Sequence, residues 1–455
     1  MTPALDQALA ALAAVPGLDL RTSEAELRPG TADKSGHRSA GLPAVRVEAH
    51  SIEDVQAVLR IAHEHRVPVV TRGAGSGLAG GAVAGPGEIF LSTLSMNRVL
   101  EINHADQLAV VEPGIINGDF NRLLLADGFW FAPDPASRDI STVGGNIATG
   151  AGGLLCAKYG VTRDAVLALA VVLADGRLIR TGHRSVKGVT GLDLTALMVG
   201  SEGLLGVIVE ATVRIRRVTP GAVRTVAATF PSATAAAAAS SAITAAGLIP
   251  SIMELMDARC LAAAHRILDL PAPAADAAHL ILQFDGIGSD AEAAESLEVL
   301  RAQGGHAKLA ATAEEGEHLL AVRRAMHPAM ETLGTPLIED VSVPRSRLAE
   351  MFEIIADIEQ RYGVEIPTVA HAGDGNLHPN FIVQGEEVPD HVWEAAGEMF
   401  TGALALGGTL TGEHGVGLLK RRWLGDELGA DQLELQRQIA AVFDPHGILN
   451  PGKVF

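Results

Sequence analysis

Two short segments late in the chain gather imidazole and carboxylate groups at spacings suited to holding a metal ion and moving a proton. In VAHAGDGNLHPNF, residues 369–381, His371 and His378 stand seven positions apart. That spacing would share one face of a helix, but Gly373, Gly375 and Pro379 oppose a helix, so the two imidazoles are expected to flank a tight loop. In TLTGEHGVGLLKRR, residues 409–422, Glu413 and His414 lie between glycines, at the exit of a β-run and ahead of a helix. Two imidazoles and a carboxylate make an open divalent-metal site, imidazole suiting Zn, Fe or Ni and carboxylate suiting harder ions. The competing reading is that these histidines merely hydrogen-bond loop carbonyls. In a chain with 16 His, the first segment alone does not decide between the two.

A second kind of chemistry is suggested by glycine. TRGAGSGLAGG, residues 71–81, follows a β-run and sets Gly75, Gly77 and Gly80 in GxGxxG spacing. A Rossmann loop must open a helix, yet Gly85, Pro86 and Gly87 occupy the place of its second and third turns, which argues against NAD. Closely spaced glycines can instead aim successive N–H groups into one concavity that takes a pyrophosphate, or form a turn with no ligand. PDPASRDISTVGGNIATGAGG, residues 133–153, and VGSEGLLGVI, residues 199–208, repeat the pattern. Together these stretches offer backbone donors and small side chains against which a large flat cofactor could lie.

On RGAGSGLAGGA, VEPG (111–114), PDPAS, TVGGNIATGAGG, KYG (158–160), VLADG (172–176) and GSEGLLGVI, the sequence resembles the flavin-binding domain of the vanillyl-alcohol oxidase and p-cresol methylhydroxylase (PCMH) superfamily. The resemblance spans most of residues 43–217 and implies bound FAD. It implies Arg72, Gly73, Ala74, Gly75, Ser76, Gly77 and Leu78 at the pyrophosphate, and Ser137, Thr142, Gly144, Gly145 and Asn146 along the ribityl chain and ring. Glu202, Gly203 and Ile208 would approach the adenine or flavin edge, with Pro133, Gly152, Gly153, Tyr159, Gly160, Gly206 and Asn450 completing the cofactor set. Members that attach flavin covalently often carry His in the first loop; Ser76 stands there in this chain, so noncovalent FAD is expected.

HAGDGNLHPN and GEHGVG resemble the two signature motifs of the FAD-linked 2-hydroxy-acid dehydrogenases, the group of D-lactate, glycolate and D-2-hydroxyglutarate dehydrogenases, and DPHGILNPGKVF resembles that group's C-terminus. The resemblance implies His371, His378 and Glu413 as ligands of a divalent metal, zinc first and iron or manganese as alternatives. It makes Asn380 a substrate contact and His414 the base that removes the hydroxyl proton as hydride passes from C2 to FAD. In LLAVRRAMH, residues 319–327, Arg323 occupies the place of an Arg that grips the substrate carboxylate through two parallel hydrogen bonds, unless it shares a solvated helix face with Arg324. Before EDVSVP the D-2-hydroxyglutarate branch carries a Lys, and this chain has Ile338. Without that ammonium a monocarboxylate such as D-lactate or glycolate is favoured. His327 replaces a Thr of the same branch and has no assigned role. The alternatives are D-2-hydroxyglutarate dehydrogenase, a noncatalytic FAD-binding subunit of a glycolate-oxidase-like complex, and an aryl-alcohol oxidase or ether-lipid synthase of the same architecture. A metal hydrolase in which Glu413 activates water would leave the glycine segments unexplained.

These residues need a scaffold, and 455 residues at 48% apolar content suffice for two domains or more. The expected class is α+β. A two-part PCMH-type FAD-binding domain occupies residues 1–217, its core from about 38. An antiparallel-sheet cap covered by helices and bearing the metal site occupies 218–422, and residues 423–455 return to the FAD domain. Pro220 and Gly221 mark the first boundary, and MTPALDQALAALAAVPG reads as an amphipathic helix rather than a leader. Lys and Arg total 35 against 54 Asp and Glu, a balance of -19 that argues against nucleic acid. No apolar run is long enough to span a bilayer. Cys156 and Cys260 form no CxxC pair, which suits a reducing cytoplasm, with a peripheral place on the inner membrane face as the alternative. The resemblance favours a quinone, a cytochrome or an electron-transfer flavoprotein as electron acceptor, and a homodimer is compatible with it.

Overall fold

A computed structural model describes residues 3–385 and 387–455. The chain folds into two compact units. One comprises the described residues up to Gly153 together with Gly160–Val218 and Glu413–Phe455; the other comprises Leu154–Tyr159 and Thr219–Gly412.

The first unit contains two main sheets. Strands Asp19–Arg21, Val45–Glu48, Ile89–Ser92 and Val69–Arg72 form one in that spatial order, its last three strands parallel. The other is an antiparallel five-stranded sheet ordered Val99–Asn103, Leu108–Val111, Val207–Arg214, Val166–Val172, Leu178–Gly182. Parallel strands need a crossover, which helix Ile52–His65 supplies. Its start is a capping box in which the Asp54 amide donates to Ser51 Oγ at 3.1 Å and the Ser51 amide donates to Asp54 Oδ2 at 3.0 Å. Losing such a cap costs about 1 kcal/mol. The helix buries Val55, Val58, Leu59 and Ala62, the i, i+3, i+4, i+7 stripe of an amphipathic segment, into a core shared with Val47, Val69, Ile89, Leu91 and Val207. The N-terminal helix Pro3–Ala13 adds Leu5, Ala8 and Leu12 to that core. A second core gathers Phe120, Phe131, Val143, Ile147, Val171 and Ile208.

The second unit is built on a sheet ordered His306–Leu309, Arg224–Phe230, Ala278–Phe284, Ile252–Met256, Thr368–His371, Asn376–Val383, Thr335–Ile338, with Val341–Ser342 pairing Asn376–Val383 off that path. These pairings are antiparallel. Helix Leu348–Tyr362 packs against helices Ala233–Ala245 and Asp390–Ala405. The alanine-rich helix is capped by Ser232, whose Oγ accepts from the Ala235 amide at 3.1 Å, and its buried Ala236, Ala237, Ala239 and Ser240 keep the packing close.

The chain returns to the first unit at Glu413, ten residues before the expected position 423. Contacts within that unit account for it, because the amides of Leu418, Val416 and Gly417 are all bonded there, the first to the Ala79 carbonyl and the others to the Glu202 carboxylate. Leu154–Tyr159 belongs to the second unit because Asp285 accepts from both Lys158 Nζ and the Tyr159 hydroxyl. The turn between Arg72 and Ile89 contains no helix, as its glycines and Pro86 require. No helix among the described residues is long and apolar enough to cross a membrane.

Candidate active site

In the second unit, strands Thr368–His371 and Asn376–Val383 form a hairpin with Val369 opposite His378 and His371 opposite Asn376. Its tight loop depends on Gly375, at φ +87°, where a Cβ would lie 2.1 Å from the Val343 carbonyl oxygen. The two imidazoles therefore come from the flanks of a turn. Their rings meet edge to face with centroids 5.0 Å apart, each is buried, and each offers a ring nitrogen within 4.8 Å of the other.

Strand Ile252–Met256 pairs with the hairpin so that Glu254 stands directly opposite His371. His371 Nδ1 donates to Glu254 Oε1 at 2.7 Å, and Arg323 Nε donates to Glu254 Oε2 at 2.7 Å. Arg323 is therefore turned inward from helix Ala313–Arg324, while Arg324 pairs with Glu317 at the surface. His327 lies on an exposed helical face beside Glu331. Asn380 is buried, and its Nδ2 donates to the carbonyls of His378 and Pro367 at 2.8 and 3.1 Å. Sequence reasoning did not single out Glu254. The available signal was a lone carboxylate in the otherwise apolar strand IMELM, a position that needs buried partners.

The approach to the second motif is fixed in the same unit. Asn376 Nδ2 donates to Asp340 Oδ1 at 2.6 Å, and Thr411 Oγ1 donates to Asp340 Oδ2 at 2.6 Å. Gly412 then packs so tightly that a Cβ there would lie 2.4 Å from Asn376 Nδ2. The expected β-run before it is reduced to a single bridge between Thr409 and Ser342.

In the first unit the glycine segments converge. Arg72 ends a strand and is buried, with Nη1 donating to the Ala82 carbonyl at 3.0 Å; burial lowers its pKa. A Cβ at Gly73 would lie 2.3 Å from Thr142 Oγ1, which itself accepts from the Gly145 amide at 3.1 Å and caps helix Val143–Thr149. Gly144 lies against Pro113, Gly153 against the Asp134 carbonyl, and Gly206 against Val171. The Pro133 carbonyl accepts from Asn117 Nδ2 at 2.9 Å, and Ile208 is buried in the central strand Val207–Arg214. Gly77 is tied to the Lys34 amide through its carbonyl, Ser137 starts the turn to Ser141, and Gly160 abuts Asp164.

Glu202, at φ +49°, accepts from the amides of Val416 and Gly417 at 2.7 and 2.8 Å. Burial pushes its pKa up to about 7, against the lowering effect of those two amides. Asn450 Nδ2 joins the Glu202 and Gly81 carbonyls at 2.7 and 2.9 Å. His414 Nε2 lies 3.7 Å from Glu413 Oε1, and a Cβ at Gly152 would lie 2.6 Å from Glu413 Oε2.

Asn146 Nδ2, a donor, and Asn450 Oδ1, an acceptor, are buried with no hydrogen-bond partner among the described residues. Orphaned buried polar atoms beside glycines where side chains would clash fit a polar ligand lying against this surface, as FAD would.

The descriptions of two family models match this chain: the C-terminal domain of FAD-linked oxidases over residues 219–454 and an FAD-binding domain over residues 43–182. The glycolate oxidase subunit GlcD of Bacillus subtilis (strain 168) is 39% identical across 91% of this chain and 89% of its own length. A D-lactate dehydrogenase of Archaeoglobus fulgidus is 36% identical across 90% and 91%. The structure also matches that of p-cresol methylhydroxylase with substrate bound, at a TM-score of 0.79 and 16% identity over 99% of this chain and 96% of that one, which shows a shared PCMH-type fold. The matched families and relatives thus define a flavin-dependent oxidoreductase. The chain belongs to the FAD-linked oxidase family, and FAD is its cofactor.

Proposed function

We propose that the protein oxidises a small D-2-hydroxy acid of the D-lactate or glycolate type to the 2-oxo acid. FAD is held noncovalently by the glycine segments, and a divalent ion, zinc first, by His371, His378 and Glu413. The observation that carries this reading is the buried His371–His378 pair in a hairpin against which Gly412 is packed. Glu413 follows Gly412 by one peptide link, about 3.8 Å between Cα atoms.

When bound, FAD supplies a two-electron acceptor and the ion supplies Lewis acidity. The chain's own residues do the rest. His414 takes the substrate hydroxyl proton on a ring nitrogen, and the Glu413 carboxylate lies 3.7 Å from its Nε2. Arg323 pairs with the substrate carboxylate, and the geometry suits a single such group because Ile338, opposite Asn380 in the sheet, brings no second cation. Asn380 has committed its Nδ2 to the backbone, so its Oδ1 is the atom left to meet substrate. The names of the glycolate oxidase and D-lactate dehydrogenase relatives support the substrate class.

A quinone, cytochrome or electron-transfer flavoprotein reoxidises the flavin, and two buried cysteines, Cys156 and Cys260, suit a reducing cytoplasm. Anaerobic mixing of the purified protein with D and L forms of lactate and 2-hydroxyglutarate, and with glycolate, tests the reading. Flavin bleaching by D-lactate or glycolate that disappears with a chelator and returns with zinc is expected. Bleaching only by D-2-hydroxyglutarate, or by none of the panel, would overturn it.

A further inference from the structure

A carboxylate with no measurable exposure in the middle of an apolar strand demands an explanation. Glu254 is such a group, and its strand neighbours Ile252, Met253, Leu255 and Met256 are buried with it. An apolar residue would satisfy the sheet at lower desolvation cost, so Glu254 is not there for packing. Both of its oxygens are used, each by a residue assigned a role above: Oε1 by His371 Nδ1 and Oε2 by Arg323 Nε, each at 2.7 Å.

The two bonds have distinct consequences. A carboxylate is only an acceptor, so His371 must carry its proton on Nδ1, which leaves the Nε2 lone pair as the ring's ligand atom and fixes the ring's orientation. The bond to Arg323 uses Nε alone. Among the described residues the guanidinium makes no other hydrogen bond, and its two Nη groups stay available to an anion. The register between strands Ile252–Met256 and Thr368–His371 sets Glu254 directly opposite His371.

We infer that Glu254 is a positioning residue that sets the metal-ligand tautomer of His371 and the substrate-gripping pose of Arg323 through one carboxylate. This rests on the proposed function, since it presumes an ion on His371 and a carboxylate on Arg323. It links ion affinity to substrate affinity in a single side chain that touches neither.

The test is Glu254→Gln, which keeps the shape but can present its one oxygen to only one of the two donors. Zinc affinity of the FAD-loaded protein, measured by competition with a chromophoric chelator, should fall on the order of 10-fold to 100-fold. The KM for the hydroxy acid should rise by on the order of 10-fold, with flavin absorbance unchanged. If Glu254→Gln fails to fold by circular dichroism, Glu254→Asp, too short to reach both partners, is read in the same way. Unaltered zinc affinity and KM, whatever the change in melting temperature, would reduce Glu254 to a structural ion pair and overturn the inference. Wild-type protein that binds neither zinc, iron nor manganese would instead overturn the metal reading, and the inference with it.

Discussion

The carboxylate of Glu202 closes on the main chain at Val416, whose amide lies 2.7 Å from Oε1, and so holds the loop that has just delivered Glu413 and His414. Glu202→Ala removes the acceptor for both the Val416 and Gly417 amides. Flavin reduction by substrate should slow by on the order of 10-fold, as expected when a supporting hydrogen bond of a catalytic loop is lost. Stopped-flow absorbance reads this directly, and an unchanged rate would show that the loop holds itself.

The same carboxylate gives a pH signature. Burial pushes its folded pKa up to about 7, above the ordinary glutamate value of about 4.5, so between those limits the folded protein binds a proton that the unfolded chain does not. The contribution is therefore fully present below about pH 4.5 and is lost as pH rises through about 7. In flavin-free protein, Glu202→Gln should flatten the fall of melting temperature across that window. Parallel curves for the two proteins would contradict the assignment.

His414→Ala should lower the rate of flavin reduction on the order of 100-fold or more while FAD stays bound, because general-base catalysis contributes about that much. Rapid-mixing kinetics beside the flavin spectrum separate the two effects. A near-normal rate would move the base elsewhere.

Gly73→Ala places a methyl group 2.3 Å from Thr142 Oγ1. The overlap should cost about 1–3 kcal/mol and displace the helix cap at Thr142. Purified variant should carry less FAD and melt earlier, both measurable by absorbance. In wild type, acid precipitation should leave the yellow colour in solution, since Ser76 offers no imidazole for covalent attachment.

Ile338→Lys places a cation next to the adjacent acids Glu339 and Asp340. Steady-state kinetics should show the ratio of activity on D-2-hydroxyglutarate to that on D-lactate rising on the order of 10-fold. A ratio that does not move would place the second-carboxylate determinant elsewhere.

Short-range chemistry was legible in the residues themselves. Gly373, Gly375 and Pro379 forbid a helix, and the hairpin carrying His371 and His378 follows. Gly85, Pro86 and Gly87 rule out a helix after the first glycine loop, and the loop has none. Each depends on backbone preferences acting over a few positions, which a linear text records. Tertiary structure alone decided that Glu254 stands across from His371, 117 residues away, and that Glu202 holds Val416 at a separation of 214. It also turned Arg323 inward while leaving Arg324 in solvent, and assigned Leu154–Tyr159 to the second unit. Such pairings follow from strand register and from the need of a buried carboxylate for partners, and both are settled only when distant segments pack together.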